Sequence, residues 1–202
     1  MNVLIFSGFL GSGKTSALLP LARHIVDTSK SDKENKVMIL ENEVGEVGID
    51  DAFLRGGGFK VDNLFSGCAC CTVSGELVVA ASRLQKEYDP DWLILETTGV
   101  AYPKKIQENL RSAAGIDARI CVLVDAARWR RLFIPMQTLL SDQIIGSDAI
   151  LVNKIDLVTE DVIAKVDEDI RNFEPNAVIA HISALQPVDG SVWELVLGDR
   201  ED

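Results

Sequence analysis

Short apolar runs alternate along the chain with longer amphipathic stretches. Six runs rich in Val, Ile and Leu predict buried strands, at Val3–Phe6, Val37–Leu40, Trp92–Leu95, Ile120–Val124, Ile150–Val152 and Val178–Ile182. Four stretches with apolar residues at helical spacing predict helices, at Ser16–Ile25, Leu77–Leu84, Val162–Ile170 and Val192–Val196. Their alternation predicts an α/β fold, with a doubly wound, mostly parallel sheet flanked by helices.

Length and composition are those of a soluble globular protein. The 202 residues fit one domain, and 47% of them are hydrophobic and 25% charged. The formal net charge of -11 argues against nucleic acid as the main partner. The apolar runs are too short for a membrane span, and the first residues carry no basic leader, so we expect a cytoplasmic protein without a membrane partner.

A phosphate-binding loop is predicted between the first strand and the first helix. Residues 8–15, here called the phosphate loop, read Gly-Phe-Leu-Gly-Ser-Gly-Lys-Thr and fit G-x-x-x-x-G-K-[ST]. Backbone N–H groups of such a loop point at a β-phosphate, and the helix N-terminus favours an anion. We expect Lys14 to reach the β- and γ-phosphates and the Thr15 hydroxyl to bind Mg²⁺. The loop therefore predicts that the protein is a P-loop NTPase. The predicted nucleotide-binding residues are Gly8, Gly11, Ser12, Gly13, Lys14, Thr15 and Ser16. The alternative, a glycine-rich turn that only caps a helix, is disfavoured by the strand–loop–helix context.

The base of the nucleotide is indicated by an N-K-x-D sequence after a later strand. Asp156 can accept the ring imino and 2-amino protons of guanine, which adenine does not offer. Asn153 can hold the loop and the base, and the stem of Lys154 can lie over the ring. The backbone of Ser183 and Ala184 would complete the pocket. We therefore expect GTP rather than ATP, although the sequence alone also fits a charged turn.

An acidic residue directly follows the third predicted strand. Glu96 there is expected to hold Mg²⁺ or its waters, and Gly99 to let a backbone N–H approach the γ-phosphate. With Lys14, these two residues are the predicted catalytic set. Val100 follows the glycine, and its side chain cannot orient an attacking water. Slow hydrolysis, stimulated by a partner or a metal, is the expected consequence.

Two further segments suggest a transition-metal site. Residues 68–71 place the thiols of Cys68, Cys70 and Cys71 within four positions, which favours metal binding over a redox pair or a buried turn. Residues Glu41–Asp50 hold four carboxylates, which fit a metal-binding switch loop or a solvated acidic loop. Cys121 lies in an apolar strand and is expected to be core.

The order of these motifs resembles the CobW-like proteins among the metal-chaperone P-loop GTPases. The matching residues run in family order over nearly the whole chain: Gly8–Thr15, Glu41–Asp50, Gly67–Thr72, Glu96–Gly99 followed by Pro103, Val124–Ala126, Asp142-Gln143 and Asn153–Asp156. The resemblance implies a GTP-dependent metallochaperone or insertase that binds GTP or GDP, Mg²⁺, and Zn²⁺, Co²⁺ or Ni²⁺. It makes Cys68, Cys70 and Cys71 the candidate metal ligands, with Glu41 and Glu46 as nearby candidates.

Partners and domain organisation follow from the same resemblance. It implies a client metalloenzyme as partner and a nucleotide-dependent homodimer. Two alternatives stay open: a GTPase chaperone that gates cobalamin loading of a corrinoid protein, and a non-catalytic metal or redox sensor that uses the CxCC thiols. We expect residues 1–202 to form a single GTP-binding domain without the C-terminal domain that many CobW-like proteins carry.

Overall fold

The computed structural model describes residues 1–33, 36–41, 59–63 and 73–198. Seven strands lie in this part of the chain: β1 (Asn2–Gly8), β2 (Val37–Glu41), β3 (Phe59–Asn63), β4 (Trp92–Glu96), β5 (Arg119–Asp125), β6 (Ala149–Asn153) and β7 (Val178–Ile182). Six helices accompany them: α1 (Lys14–Thr28), α2 (Val73–Tyr88), α3 (Pro103–Ala114), α4 (Trp129–Ile144), α5 (Glu160–Phe173) and α6 (Gly190–Leu197). A short 3₁₀ turn spans Ile155–Leu157. None of the described helices is both long and apolar enough to cross a membrane.

The strands form one sheet in the order β3-β2-β4-β1-β5-β6-β7. Every pairing between neighbours is parallel, so all strands end at the same edge. The chain starts with β1 near the middle of the sheet and adds strands on both sides of it, which is the doubly wound topology expected. Ligands of such sheets bind outside the carboxyl ends, where the strand order reverses.

Strands β1, β2, β4, β5 and β6 are buried on both faces, as their continuous apolar runs require. Strand β7 was predicted as buried, but it is only partly so, because it lies at the edge of the described sheet. One face packs on α1 and α6, where Phe6 and Ile39 meet Leu18, Leu21 and Trp193. The other face packs on α2 and α3 over one half of the sheet and on α4 and α5 over the other half. Cys121 is fully buried in the first of these clusters, which confirms its prediction as core.

Three elements were not predicted from the apolar pattern. Strand β3 alternates apolar and polar residues in Phe-Lys-Val-Asp-Asn and pairs with β2 at the edge of the described sheet, so it lacks a continuous apolar run. Helix α3 buries little more than Ile106 and Leu110 besides its first residue, Pro103. Helix α4 contains Pro135 and departs from helical geometry at Met136, which interrupts its periodicity.

Candidate functional site

The phosphate loop connects β1 to α1 at the middle of the sheet, as predicted. Gly13 has a φ of 98° and immediately precedes Lys14, the first residue of α1. A Cβ on Gly13 would collide with Nδ2 of Asn153, because that amide reaches past it to the Ser12 carbonyl at 2.7 Å. Position 13 therefore requires glycine for both its backbone conformation and the close approach of a neighbouring loop.

The two functional side chains of the loop are positioned by the start of α1. Lys14 is only 5% exposed, and its Nζ donates to the Gly8 carbonyl at 3.1 Å. The ammonium group thus lies over the curl of the loop, where a phosphate would sit. The next residue, Thr15, is exposed, and its Oγ1 donates to Oε1 of Glu96 at 3.4 Å. The structure therefore brings together the hydroxyl and the carboxylate expected to hold Mg²⁺.

A second carboxylate stands beside Glu96. Glu41 ends β2 and is the register partner of Glu96, which ends β4. Both residues are buried, and both fall on the face that α1 covers, since Ile39 and Ile94, two positions earlier in each strand, pack there. The candidate metal ligand Glu41 is therefore placed next to the predicted Mg²⁺ residues.

The segment after β4 lies against the phosphate loop. Thr97 donates through its hydroxyl to the Ser7 hydroxyl at 2.8 Å, and both side chains are fully buried. A Cβ on Gly99 would come within 2.6 Å of the Leu10 backbone nitrogen, so this position requires the smallest residue. The side chain of Val100 is 61% exposed. Gly99 is thus beside the loop that would hold the phosphates, as its predicted role requires.

Gln143 fixes the same segment from the last turn of α4. Its Nε2 donates to the carbonyls of Gly99 at 3.0 Å and Ala101 at 3.2 Å, and the residue is 2% exposed. Only the family resemblance singled out Asp142-Gln143 in the sequence, without assigning it a role. A buried amide in a helix that lacks clear apolar periodicity gives no local signal of this contact.

The N-K-x-D loop joins the phosphate loop to the segment after β7. Asn153 is buried, and its Oδ1 accepts from the backbone N–H of Lys154 at 2.8 Å and of Ala184 at 2.9 Å. Asp156 is exposed, and its Oδ1 accepts from the Ser183 hydroxyl at 2.5 Å. The residues predicted to read the base are therefore brought together at one end of the sheet.

Lys154 also contacts Asp125, the last residue of β5. Asp125 accepts from Lys154 Nζ at 2.6 Å and from Arg128 Nε at 2.6 Å. Burial by itself would raise the pKa of Asp125, but the hydrogen bonds and charges of these two cations hold the pKa below its ordinary value. The carboxylate is thus ionised at neutral pH, and Arg128 is a site residue that the sequence reasoning did not identify.

One cavity of about 460 Å³ extends along these loops. Its lining combines residues of the phosphate loop, of the N-K-x-D loop (residues 153–156, here called the base loop) and of the segment after β7: Leu10, Gly11, Gly13, Lys14, Thr15, Ser16, Asn153, Lys154, Asp156, Leu157, Ala184 and Leu185. Its size lies within the range of small-molecule sites. Ser12 is buried, and its hydroxyl has no hydrogen-bond partner among the residues that the structure describes. The cavity therefore joins the predicted phosphate site to the predicted base site.

Several predicted metal residues lie outside the described part of the chain, namely Glu46, Cys68, Cys70 and Cys71. Within the described ranges, no group of three or more His, Cys, Asp or Glu side chains is arranged to hold a metal ion. His181, the fourth of the five residues of β7, directs Nε2 to Asp167 on α5 at 2.9 Å. Its side chain is thus directed to the neighbouring helix.

Comparisons with known proteins agree with this geometry. The family model described as "CobW/HypB/UreG, nucleotide-binding domain" matches residues 2–181. The zinc chaperone YeiR of Escherichia coli is 33% identical over 164 residues, which cover 77% of this chain and 47% of that protein. The zinc chaperone CobW of Pseudomonas aeruginosa is 29% identical over 213 residues, which cover 88% and 55%.

Solved structures share the fold. The Zn(II)-bound YjiA GTPase from E. coli superposes with a TM-score of 0.65 at 23% identity, covering 98% of this chain and 62% of that chain. HypB from Helicobacter pylori in complex with nickel gives a TM-score of 0.61 at 23% identity, covering 96% and 82%. The chain spans about half the length of the curated relatives it matches. By its motifs, its fold and the family match, the chain belongs to the CobW/HypB/UreG family of nucleotide-binding domains.

Proposed function

We propose that the chain binds GTP with Mg²⁺ in the cavity described above and hydrolyses it slowly. The observation that carries this proposal is that one cavity runs from Lys14 in the phosphate loop to Asp156 in the base loop and Ala184 after β7. A nucleoside triphosphate has an anionic triphosphate at one end and a planar base at the other, which matches a site with a phosphate loop at one end and a base loop at the other. The buried ammonium of Lys14 and the start of α1 supply the positive end of the site.

Guanine is the base that the cavity suits. The carboxylate of Asp156 is exposed at the cavity and oriented by the Ser183 hydroxyl. It accepts hydrogen bonds from paired N–H donors, which guanine has on adjacent atoms. Asn153 holds the loop of Asp156 to the phosphate loop by its contact with the Ser12 carbonyl, so base and phosphate sites keep a fixed separation.

Mg²⁺ fits the oxygen donors at the start of α1. The Thr15 hydroxyl and the Glu96 carboxylate already lie 3.4 Å apart, and both are hard oxygen ligands. Magnesium bound there would neutralise charge on the β- and γ-phosphate oxygens. The chain itself provides Lys14 for the same charge and the Gly99 backbone beside the phosphate loop. Val100 provides no group that orients water, so hydrolysis is slow without a stimulating partner.

The cargo of this GTPase is a transition metal, for which Zn²⁺ is the first choice. Two relatives that match most of this chain, YeiR of E. coli and CobW of P. aeruginosa, are named zinc chaperones. The thiols of Cys68, Cys70 and Cys71 are soft ligands suited to Zn²⁺, and the acidic segment begins at Glu41, beside the Mg²⁺ residues. A segment that responds to the γ-phosphate can thus change the metal site, and the metal passes to a client metalloprotein.

A metal-competition titration tests this proposal. The protein is titrated with Zn²⁺ against a chelator of known affinity, in the presence of a non-hydrolysable GTP analogue with Mg²⁺, of GDP with Mg²⁺, or of neither. We expect the GTP analogue to change Zn²⁺ affinity by about five- to 150-fold relative to GDP, the usual range of coupling between two sites. Replacing Cys68, Cys70 and Cys71 by Ser should abolish the tight Zn²⁺ site, whereas Cys121→Ser should leave it intact. Equal affinities in all nucleotide states would refute the coupling.

A further inference from the structure

Two cations converge on one buried carboxylate beside the phosphate loop. The side chain of Asp125 is 2% exposed and binds both Arg128 Nε and Lys154 Nζ at 2.6 Å. Each cation also donates to a phosphate-loop carbonyl. Arg128 Nη2 donates to the Leu10 oxygen at 2.7 Å, and Lys154 Nζ donates to the Gly11 oxygen at 2.7 Å. Consecutive carbonyls of the loop are thus tied to one carboxylate on β5.

These contacts fix the direction of loop amides. In a trans peptide the C=O and the following N–H point in opposite directions. Holding the Leu10 oxygen therefore sets where the Gly11 N–H points, and Gly11 lines the cavity. The Ser12 N–H is already used in a turn bond to the Phe9 oxygen at 3.0 Å. The peptides on both sides of Gly11 are thus held by hydrogen bonds.

The Arg128 guanidinium occupies the space that a side chain at position 11 would need. A Cβ on Gly11 would lie 2.9 Å from Arg128 Nη2. The Arg128 side chain is 38% exposed, so its position is set by its partners rather than by burial in the core. Asp125 also accepts from the Arg128 backbone N–H at 3.1 Å, so it holds both the main chain and the guanidinium of this residue.

We propose that Arg128 is a positioning residue for nucleotide binding, which acts on the phosphates through the Leu10 carbonyl. Asp125 orients Arg128 and Lys154 together and thereby couples the phosphate loop to the base loop. Loss of the Arg128 contact leaves the Leu10–Gly11 peptide free to rotate, and the loop then grips the β-phosphate less well. This inference rests on the proposed binding of a guanine nucleotide, and it adds a residue outside the phosphate-loop and N-K-x-D motifs.

Competition binding with GDP and GMP tests the role of Arg128. Both ligands displace a fluorescent GDP analogue from the wild-type chain and from the variants Arg128→Gln, Arg128→Lys and Arg131→Gln. We expect Arg128→Gln to weaken GDP binding about tenfold, the effect of losing a charge-assisted hydrogen bond. GMP, which lacks the β-phosphate, should lose less than about twofold. Arg128→Lys should recover part of the GDP affinity, since it keeps the charge but not the two-pronged guanidinium.

A control variant, Arg131→Gln, and the comparison of GDP with GMP distinguish a positioning role of Arg128 from a general structural role. Arg131 is exposed on α4, so Arg131→Gln is expected to match the wild type for both ligands. Equal losses for GDP and GMP, or no loss for either, would overturn the proposal. If Arg128→Gln does not fold, the same GDP-specific loss is expected in Arg128→Lys, to a smaller extent. Failure of the wild type to prefer GDP over ADP would instead contradict the proposed function.

Discussion

Glu41 and Glu96 are direct register partners at the carboxyl ends of β2 and β4, and both are buried on the face that α1 covers. Neighbouring strands are about 4.8 Å apart, so the two carboxylates stand side by side. Together with the Thr15 hydroxyl, which donates to Glu96, these carboxylates offer the oxygen ligands that Mg²⁺ prefers, and this is the chemical basis for proposing the Mg²⁺ site here.

Replacing Glu96 by Gln should therefore impair the use of Mg²⁺. The substitution preserves size and removes the charge that Thr15 contacts. We expect the Mg²⁺ concentration needed for half-maximal GTP hydrolysis to rise about tenfold or more, by loss of a charged ligand. GDP binding in the presence of EDTA should remain unchanged. Glu41→Gln is the matched variant and should have the smaller effect on Mg²⁺, since Thr15 bonds to Glu96. An unchanged Mg²⁺ requirement in Glu96→Gln would contradict this assignment.

Replacing Asp156 by Asn should shift base preference from guanine to xanthine. The amide presents a donor where guanine also presents one, whereas xanthine has a carbonyl at that position. We expect GTP affinity to fall about ten- to 100-fold and xanthosine triphosphate to become the tighter ligand. Ser183→Ala should give an intermediate loss of GTP, since it removes the hydroxyl that orients Asp156. Displacement of a fluorescent nucleotide measures both, and undiminished GTP affinity in Asp156→Asn would remove the guanine interpretation.

Replacing Gln143 by Met should affect GTP more than GDP. Methionine has nearly the same volume, but it leaves the Gly99 and Ala101 carbonyls without their amide donor. The free energy of unfolding should fall by about 1–3 kcal/mol. GTP affinity and turnover should also decrease because this segment is expected to meet the γ-phosphate, and GDP affinity should stay near that of the wild type. Gln137→Met, at an exposed position of the same helix, is the control. Equal losses for GTP and GDP would assign Gln143 a purely structural role.

The sequence predicted those parts of the site that depend on local chemistry. The phosphate loop and the N-K-x-D loop each follow an apolar strand, and the parallel sheet brings their ends to one edge. Arg128 was not predicted, because its role depends on β5 lying next to β1, which places Asp125 and Leu10 within its reach. The contacts of Gln143, which the resemblance singled out without a role, were not predicted for a similar reason, since its partners are more than forty positions away in the chain. Such long-range pairings leave no periodic pattern that could be read from the sequence.

The charge of Asp125 should make part of the stability depend on pH. Burial opposes its ionisation, but Lys154 and Arg128 hold its pKa in the folded protein below the value of about 3.9 that an unfolded chain has. Its stabilising contribution is therefore fully present above that unfolded pKa and is lost as the pH falls through the folded pKa.

Asp125→Asn should lower the free energy of unfolding at pH 7 by about 2 kcal/mol, and the deficit should shrink as the pH decreases toward about 3. Urea unfolding of both proteins across this range measures the difference. Asp117→Asn, whose carboxylate is 84% exposed, should show no comparable deficit, and a deficit in Asp125→Asn that persisted undiminished to low pH would show that the carboxylate charge is not its cause.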